Sequence, residues 1–264
     1  MASYLSLQSL QEKKKTEKNY STLLRHINNK NPSCGNKEMF IGGPLEGDEI
    51  NALHELVINH CPKGDIVEIG SWLGLSTVIL AMSLKERYHQ PLYKLHAIDP
   101  QVSFSDLETD PSLTNPQLIE PLQLLKDTGR DHHEVYLPAT KEGWTWYDVF
   151  NDNLSKWEVE DYIEKYREYS HLLDVEKNNI NNIAMLWVDG DHMPDAVLQD
   201  LIKYAPLVVD GGFIAMHDMH LPGGPPAALE QFCHLQSIKL VDYEEKLNLN
   251  SSTPRMGIFR KDNY

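Results

Sequence analysis

Ile66-Val67-Glu68-Ile69-Gly70-Ser71-Trp72-Leu73-Gly74-Leu75-Ser76-Thr77 is the stretch on which the fold turns. Residues 66–69 make a short, mostly apolar run of buried-strand type, and a turn with glycines at 70 and 74 follows it. Residues 76–84 then read as a helix. Strand, glycine turn and helix in succession form the first half of a parallel crossover unit.

Working outward, Asp48 caps a helix whose Ile50, Leu53, Leu56, Val57 and His60 share one face. Pro62 and Gly64 stop it. Downstream, residues 93–98 form a second strand ending in Asp99-Pro100. A polar stretch with Pro111, Pro116 and Pro121 reads as loop and helix, and residues 134–137 as a third short strand. Residues 157–173 have the charged, amphipathic character of a helix. The strongly apolar strand 183–188 runs into Asp189-Gly190-Asp191-His192, and residues 195–204 form the next helix. Gly211-Gly212 turns the chain into strand 213–216, which ends in His217-Asp218. A helix over 226–234 and two strands, 238–243 and 255–259, complete the pattern.

Alternating strands and helices predict an α/β, Rossmann-like, mostly parallel sheet with helices on both faces. The last two strands have no helix between them, so they are expected as an antiparallel hairpin at the sheet edge, joined by the polar loop 244–254. A chain of 264 residues fits one decorated domain. Residues 1–40 read as a polar, peripheral extension and 41–264 as the domain itself. Residues 141–182, with Trp144, Trp146, Tyr147 and Trp157, are more than a minimal domain of this kind needs. They read as a helical insertion before the fourth strand, either a lid over a small-molecule pocket or a surface elaboration.

The net charge of −15, from 24 basic and 39 acidic residues, repels phosphate backbones and argues against nucleic acid as a partner. The basic run Lys13, Lys14, Lys15, Lys18 reads as a solvated helix or a frayed end. Cys34, Cys61 and Cys233 are odd in number and widely spaced, which indicates neither a disulfide framework nor a zinc site. No segment has signal-peptide or membrane-span character, so a cytoplasmic location without membrane contact is the expectation. Whether the chain forms a homo-oligomer is left open.

Three strand ends carry acids, and ligands of open α/β sheets bind outside those ends. Gly70-x-x-x-Gly74 lacks the G-x-G-x-x-G spacing of dinucleotide binders. Glu68, inside the strand, would repel a pyrophosphate but suits a cationic amino-acid ligand, which favours S-adenosylmethionine over NAD. Asp99 can accept hydrogen bonds from both ribose hydroxyls, or simply cap a following helix. Asp189-Gly190-Asp191-His192 and His217-Asp218 bring carboxylates and imidazoles to two neighbouring strand ends, a donor set suited to Mg2+ or Mn2+. Solvated caps and core histidines are the plainer alternative.

Residues 66–77 and the span from Leu186-Trp187-Val188-Asp189-Gly190-Asp191-His192 to Gly211-Gly212-Phe213-Ile214-Ala215-Met216-His217-Asp218 resemble class I S-adenosylmethionine-dependent methyltransferases. They are most similar to the family-24 group, which includes metal-dependent O-methyltransferases acting on sugars and natural products. The resemblance implies a seven-stranded sheet with one antiparallel strand. It implies a cofactor set of Glu68, Gly70, Ser71, Trp72, Gly74, Ser76, Asp99, Thr140 and Asp189. It implies metal ligands Asp189 and Asp218 with His217 beside them, and a base among Asp191, His192 and His217. Where metal-dependent relatives carry a second acid, this chain has His217, and manganese suits such a mixed site better than magnesium. The expected reaction is methyl transfer to a hydroxyl of a small molecule. A metal-independent enzyme with a histidine base and a non-catalytic cofactor-binding module are the alternatives.

Overall fold

The computed structural model describes residue 45 and residues 47–101, 145–236, 238–243 and 255–262. Helix α1 (Gly47–Glu55) opens the described helices and widens into a π-helical turn over Leu56–His60. Asp48 lies inside its first turn rather than capping it, and there its charge meets the positive end of the helix dipole. Strand β1 (Asp65–Ile69) leads through the glycine turn into α2 (Leu75–Tyr88), and β2 (Leu95–Ile98) follows. After residue 145 come α3 (Trp146–Lys156), β3 (Ile163–Tyr166), β4 (Ile183–Val188) and α4 (Pro194–Tyr204). The chain closes with β5 (Val208–Met216), α5 (Pro225–Leu235), β6 (Lys239–Asp242) and β7 (Gly257–Asp262).

The seven strands form one sheet in the order β3-β2-β1-β4-β5-β7-β6. Strands β1 to β5 pair in parallel, and β7 runs antiparallel to both β5 and β6. The C-terminal hairpin is therefore present, with β7 as the one reversed strand of the sheet. The Gly211-Gly212 pair sits within β5, where the register to β4 breaks between the Ile183–Val208 and Met185–Phe213 pairs.

Alternate side chains of each strand point to opposite faces. Ile66, Ala97, Met185, Trp187 and Ala215 pack with α1, α2 and α3 on one side. Val67, Ile98, Leu186, Val188 and Ile214 pack with α4 and α5 on the other. Residues 75–84 of α2 are all buried, so this helix is enclosed rather than amphipathic. Among the described residues no helix is long and apolar enough to cross a membrane.

The helix expected over 157–173 is not formed. The helix ends at Lys156, Trp157 is buried as its C-cap, and residues 163–166 pair in parallel with β2. The structure thus draws part of 141–182 into the sheet and its covering layer. The helix itself starts at a capping box: Thr145 Oγ1 accepts from the Asp148 N–H, and the Asp148 carboxylate accepts from the Thr145 N–H. Charged residues on a short edge strand, here Glu164 and Lys165, imitate the polar face of a helix. The third strand expected at 134–137, the extension 1–40 and Trp144 lie outside the described residues.

Candidate functional site

Strand order reverses between β1 and β4, and the crevice beyond their carboxyl ends is where open α/β sheets bind ligands. The loops after these two strands meet there. Gly70 has φ 89° and the Gly70 N–H donates to Ile98 O, while the Asp189 N–H donates to Ile69 O. A Cβ on Gly70 would lie 2.2 Å from Asp189 O, so the approach admits only glycine. Gly74, at φ 90°, is the N-cap of α2, and a Cβ there would lie 3.0 Å from Phe150.

Glu68 is buried at the floor of this crevice. The hydroxyls of Ser71 and Thr77 both donate to its Oε2, at 3.0 and 2.6 Å. Its Oε1 is buried without a hydrogen-bond partner among the described residues. Burial pushes the Glu68 carboxyl up to about 7, against the opposing hydrogen bonds of Thr77 and Ser71. An orphaned, buried carboxylate oxygen is costly unless a donor or cation reaches it.

Asp99 directly follows the last residue of β2. Its Oδ2 accepts from the Trp72 N–H at 2.8 Å and its Oδ1 from the Gln101 N–H at 2.6 Å. Burial raises the Asp99 pKa, and the backbone donors of Trp72, Gln101 and Ser71 oppose it. Trp72 and Gln101 both have left-handed backbone, at φ 39° and 53°, so Asp99 holds two strained turns together. Gln101 Nε2 also donates to Trp72 O, at 2.8 Å. A small cleft at Asp99 is lined by Ser71, Gln101, Tyr147, Phe150 and Arg167.

On the β4 and β5 side, Asp189, His192 and Asp218 bring ligand atoms within 4.8 Å of one another. His192 Nε2 is 2.9 Å from Asp218 Oδ2, and its side chain is 51% exposed. The bond to Asp218 raises the His192 pKa. Asp191 accepts the Met193 N–H at 2.9 Å and so steadies the entry to α4. His217 is buried, with Nδ1 3.2 Å from Asp189 Oδ1 and 3.1 Å from Asp218 Oδ2. Its Nε2 is 3.2 Å from Glu49 Oε1. Burial alone would lower the His217 pKa, but these three carboxylates raise it to about 12. Burial would likewise raise the Asp218 pKa, yet His192 and His217 hold it well below the usual carboxylate range. Both ring nitrogens of His217 thus face carboxylates. His192 replaces it in the clustered trio.

All the sequence-derived site residues within the described chain sit on the two sides of this rim; Thr140 lies outside it. Two residues were missed. Glu49 belongs to a helix read only for its apolar face, and nothing local marks it. Gln101 has no signal beyond following Asp99-Pro100.

The sequence profile of the family-24 methyltransferase domain matches residues 67–219, more than half of the chain. No curated protein matches the chain by sequence. The chain is similar in structure to the O-methyltransferase NovP, at TM-score 0.56 and 14% identity over 83% of this chain and 81% of that one. It is also similar to the calicheamicin methyltransferase CalS11, at TM-score 0.50 and 16% identity over 80% of this chain and 76% of that one. The profile match spans the glycine turn, the Asp189 loop and the His217-Asp218 pair, and the chain belongs to the family-24 methyltransferase domains, within the class I S-adenosylmethionine-dependent methyltransferases.

Proposed function

We propose that the protein methylates a hydroxyl of a small molecule, such as a sugar or another natural product, with a divalent cation at the Asp189, His192 and Asp218 cluster. The observation that carries this is the convergence of that trio, within 4.8 Å, on the rim that also holds Glu68 and Asp99. The structural neighbour NovP is an O-methyltransferase, which supports oxygen as the accepting atom.

The orphaned Oε1 of Glu68 fits the ammonium group of S-adenosylmethionine, and Asp99 retains lone pairs for ribose hydroxyls. The acceptor oxygen bonds to the methyl carbon as the carbon–sulfur bond breaks, leaving a neutral thioether. Two carboxylates and an imidazole suit manganese better than magnesium. A cation held there would lower the pKa of a bound hydroxyl. His217 Nδ1, within 3.2 Å of an oxygen of each of Asp189 and Asp218, would hold both carboxylates in place, and Asp191, two residues after Asp189, would take the proton. Alignment in such a crevice supplies ~7–11 kcal/mol of the barrier in favourable cases.

One observation favours a second reading without metal. His192 and Asp218 form a half-exposed histidine–aspartate pair that resembles a general-base dyad. The two separate cleanly. Methyl-labelled S-adenosylmethionine is offered with a panel of hydroxylated sugars and polyketides, before and after EDTA treatment and Mn2+ repletion. Loss in EDTA with recovery on Mn2+ is expected. Full activity in EDTA selects the His192 dyad, and label on nitrogen or carbon alone overturns the hydroxyl acceptor.

A further inference from the structure

We propose that Glu49, on α1, is a positioning residue that sets the cation-holding carboxylates through His217. Its role rests on the cation site proposed above. Glu49 and His217 come from opposite ends of the described chain and are both buried. His217 Nε2 meets Glu49 Oε1 at 3.2 Å, while Nδ1 lies between Asp189 Oδ1 at 3.2 Å and Asp218 Oδ2 at 3.1 Å. An imidazole ring turns about two side-chain torsions. A bond at Nδ1 alone leaves the ring free to swing, whereas bonds at both ends fix its plane. The Trp187 ring, with its centroid 5.9 Å away, closes one side of it.

The consequence falls on Asp189 and Asp218. One oxygen of each lies within 3.2 Å of the same Nδ1, so the spacing between the two carboxylates depends on where that nitrogen sits. Glu49 governs that position from α1, which Ile50 and Leu53 seat firmly against the sheet. Without Glu49 the buried Nε2 would lose the oxygen it faces, and the ring would be free to turn. Asp189 and Asp218 would then lose the nitrogen they share.

The test uses the full chain, stripped with EDTA, with calorimetric titrations of Mn2+ and, separately, of S-adenosylhomocysteine. Glu49→Leu is expected to weaken Mn2+ binding at least tenfold. Glu49→Gln, which keeps an oxygen of the same reach, is expected to weaken it at least threefold but less than Leu. Both should bind S-adenosylhomocysteine within threefold of the wild type. If wild type binds Mn2+ and the variants lose less than threefold, the positioning role is overturned and the cation site stands. A wild type that takes up no Mn2+ sinks the cation site and the role of Glu49 together. Where Glu49→Leu gives no cooperative thermal transition, Glu49→Gln decides on the same threefold threshold. A matching loss of S-adenosylhomocysteine affinity in Glu49→Gln marks Glu49 as a structural tie of α1 and also overturns the role.

Discussion

Gly70 and Asp189 meet backbone to backbone: a single added carbon on Gly70 would stand 2.2 Å from the carbonyl oxygen of Asp189. The approach joins the loops after β1 and β4 at the point where strand order reverses. Gly70→Ala must therefore push the loops apart as well as strain a backbone at φ 89°. The left-handed conformation alone costs an L-residue roughly 1–2 kcal/mol, and the contact adds to it. A fall in melting temperature of several degrees, at about 2–4 °C per kcal/mol for a chain of this size, should accompany at least tenfold weaker S-adenosylhomocysteine binding. Wild-type affinity in a folded variant would count against the crevice as the cofactor site.

Glu68 makes stability and cofactor affinity depend on pH in opposite senses. Its carboxyl is raised by burial from 4.5 to about 7 in the folded protein. Between those values the folded chain holds a proton that the unfolded chain has released. The stabilisation is full below the unfolded value and is lost as pH rises through about 7, a change on the order of 3 kcal/mol. Urea midpoints of the ligand-free protein should fall from pH 5 to 8 more steeply in the wild type than in Glu68→Gln. Affinity for S-adenosylhomocysteine, whose ammonium favours the ionised carboxylate, should rise over the same window only in the wild type. Parallel curves for the two proteins would remove Glu68 from both roles.

Asp99 divides its two oxygens between the N–H groups of Trp72 and Gln101. An asparagine can accept at only one of them and turns an N–H toward the other backbone N–H. Asp99→Asn is expected to lower S-adenosylhomocysteine affinity at least tenfold, close to the effect of Asp99→Ala. Each charge-assisted bond is worth roughly 1.5–3 kcal/mol. Calorimetry that finds Asp99→Asn within twofold of the wild type would show the charge to be dispensable.

Trp157 is a core residue, and its replacement tests whether the segment before β4 carries the fold. It is 2% exposed and packs in the cluster with Phe150, Leu154 and Tyr162. Trp157→Ala should cost ~3–5 kcal/mol. A thermal scan with a melting temperature unchanged within 2 °C would mean that the segment folds independently of the sheet.

How much of this was legible in the sequence varied with the range of the interaction. The strands β1, β2, β4 and β5 could be read because each is a short apolar run broken by Gly, Asp or Pro, and the acids at their ends were visible as pairs. Strand β3 was not, because an edge strand has one partner and needs no continuous apolar run; its Glu164 and Lys165 were indistinguishable from a helix surface. The capping box at Thr145 and Asp148 was present as a local signal and marks the true helix start.

By itself the sequence determined the alternation of strand and helix, the glycine turn and the family, since these depend on neighbours along the chain. Only the tertiary structure decided which groups share a site. Glu49 reaches His217 across 168 positions of chain, and no periodicity or spacing encodes such a contact. His217 and His192 were equivalent as letters beside aspartates. Packing buried one between three carboxylates and left the other half exposed, a difference of surroundings that residue type does not carry.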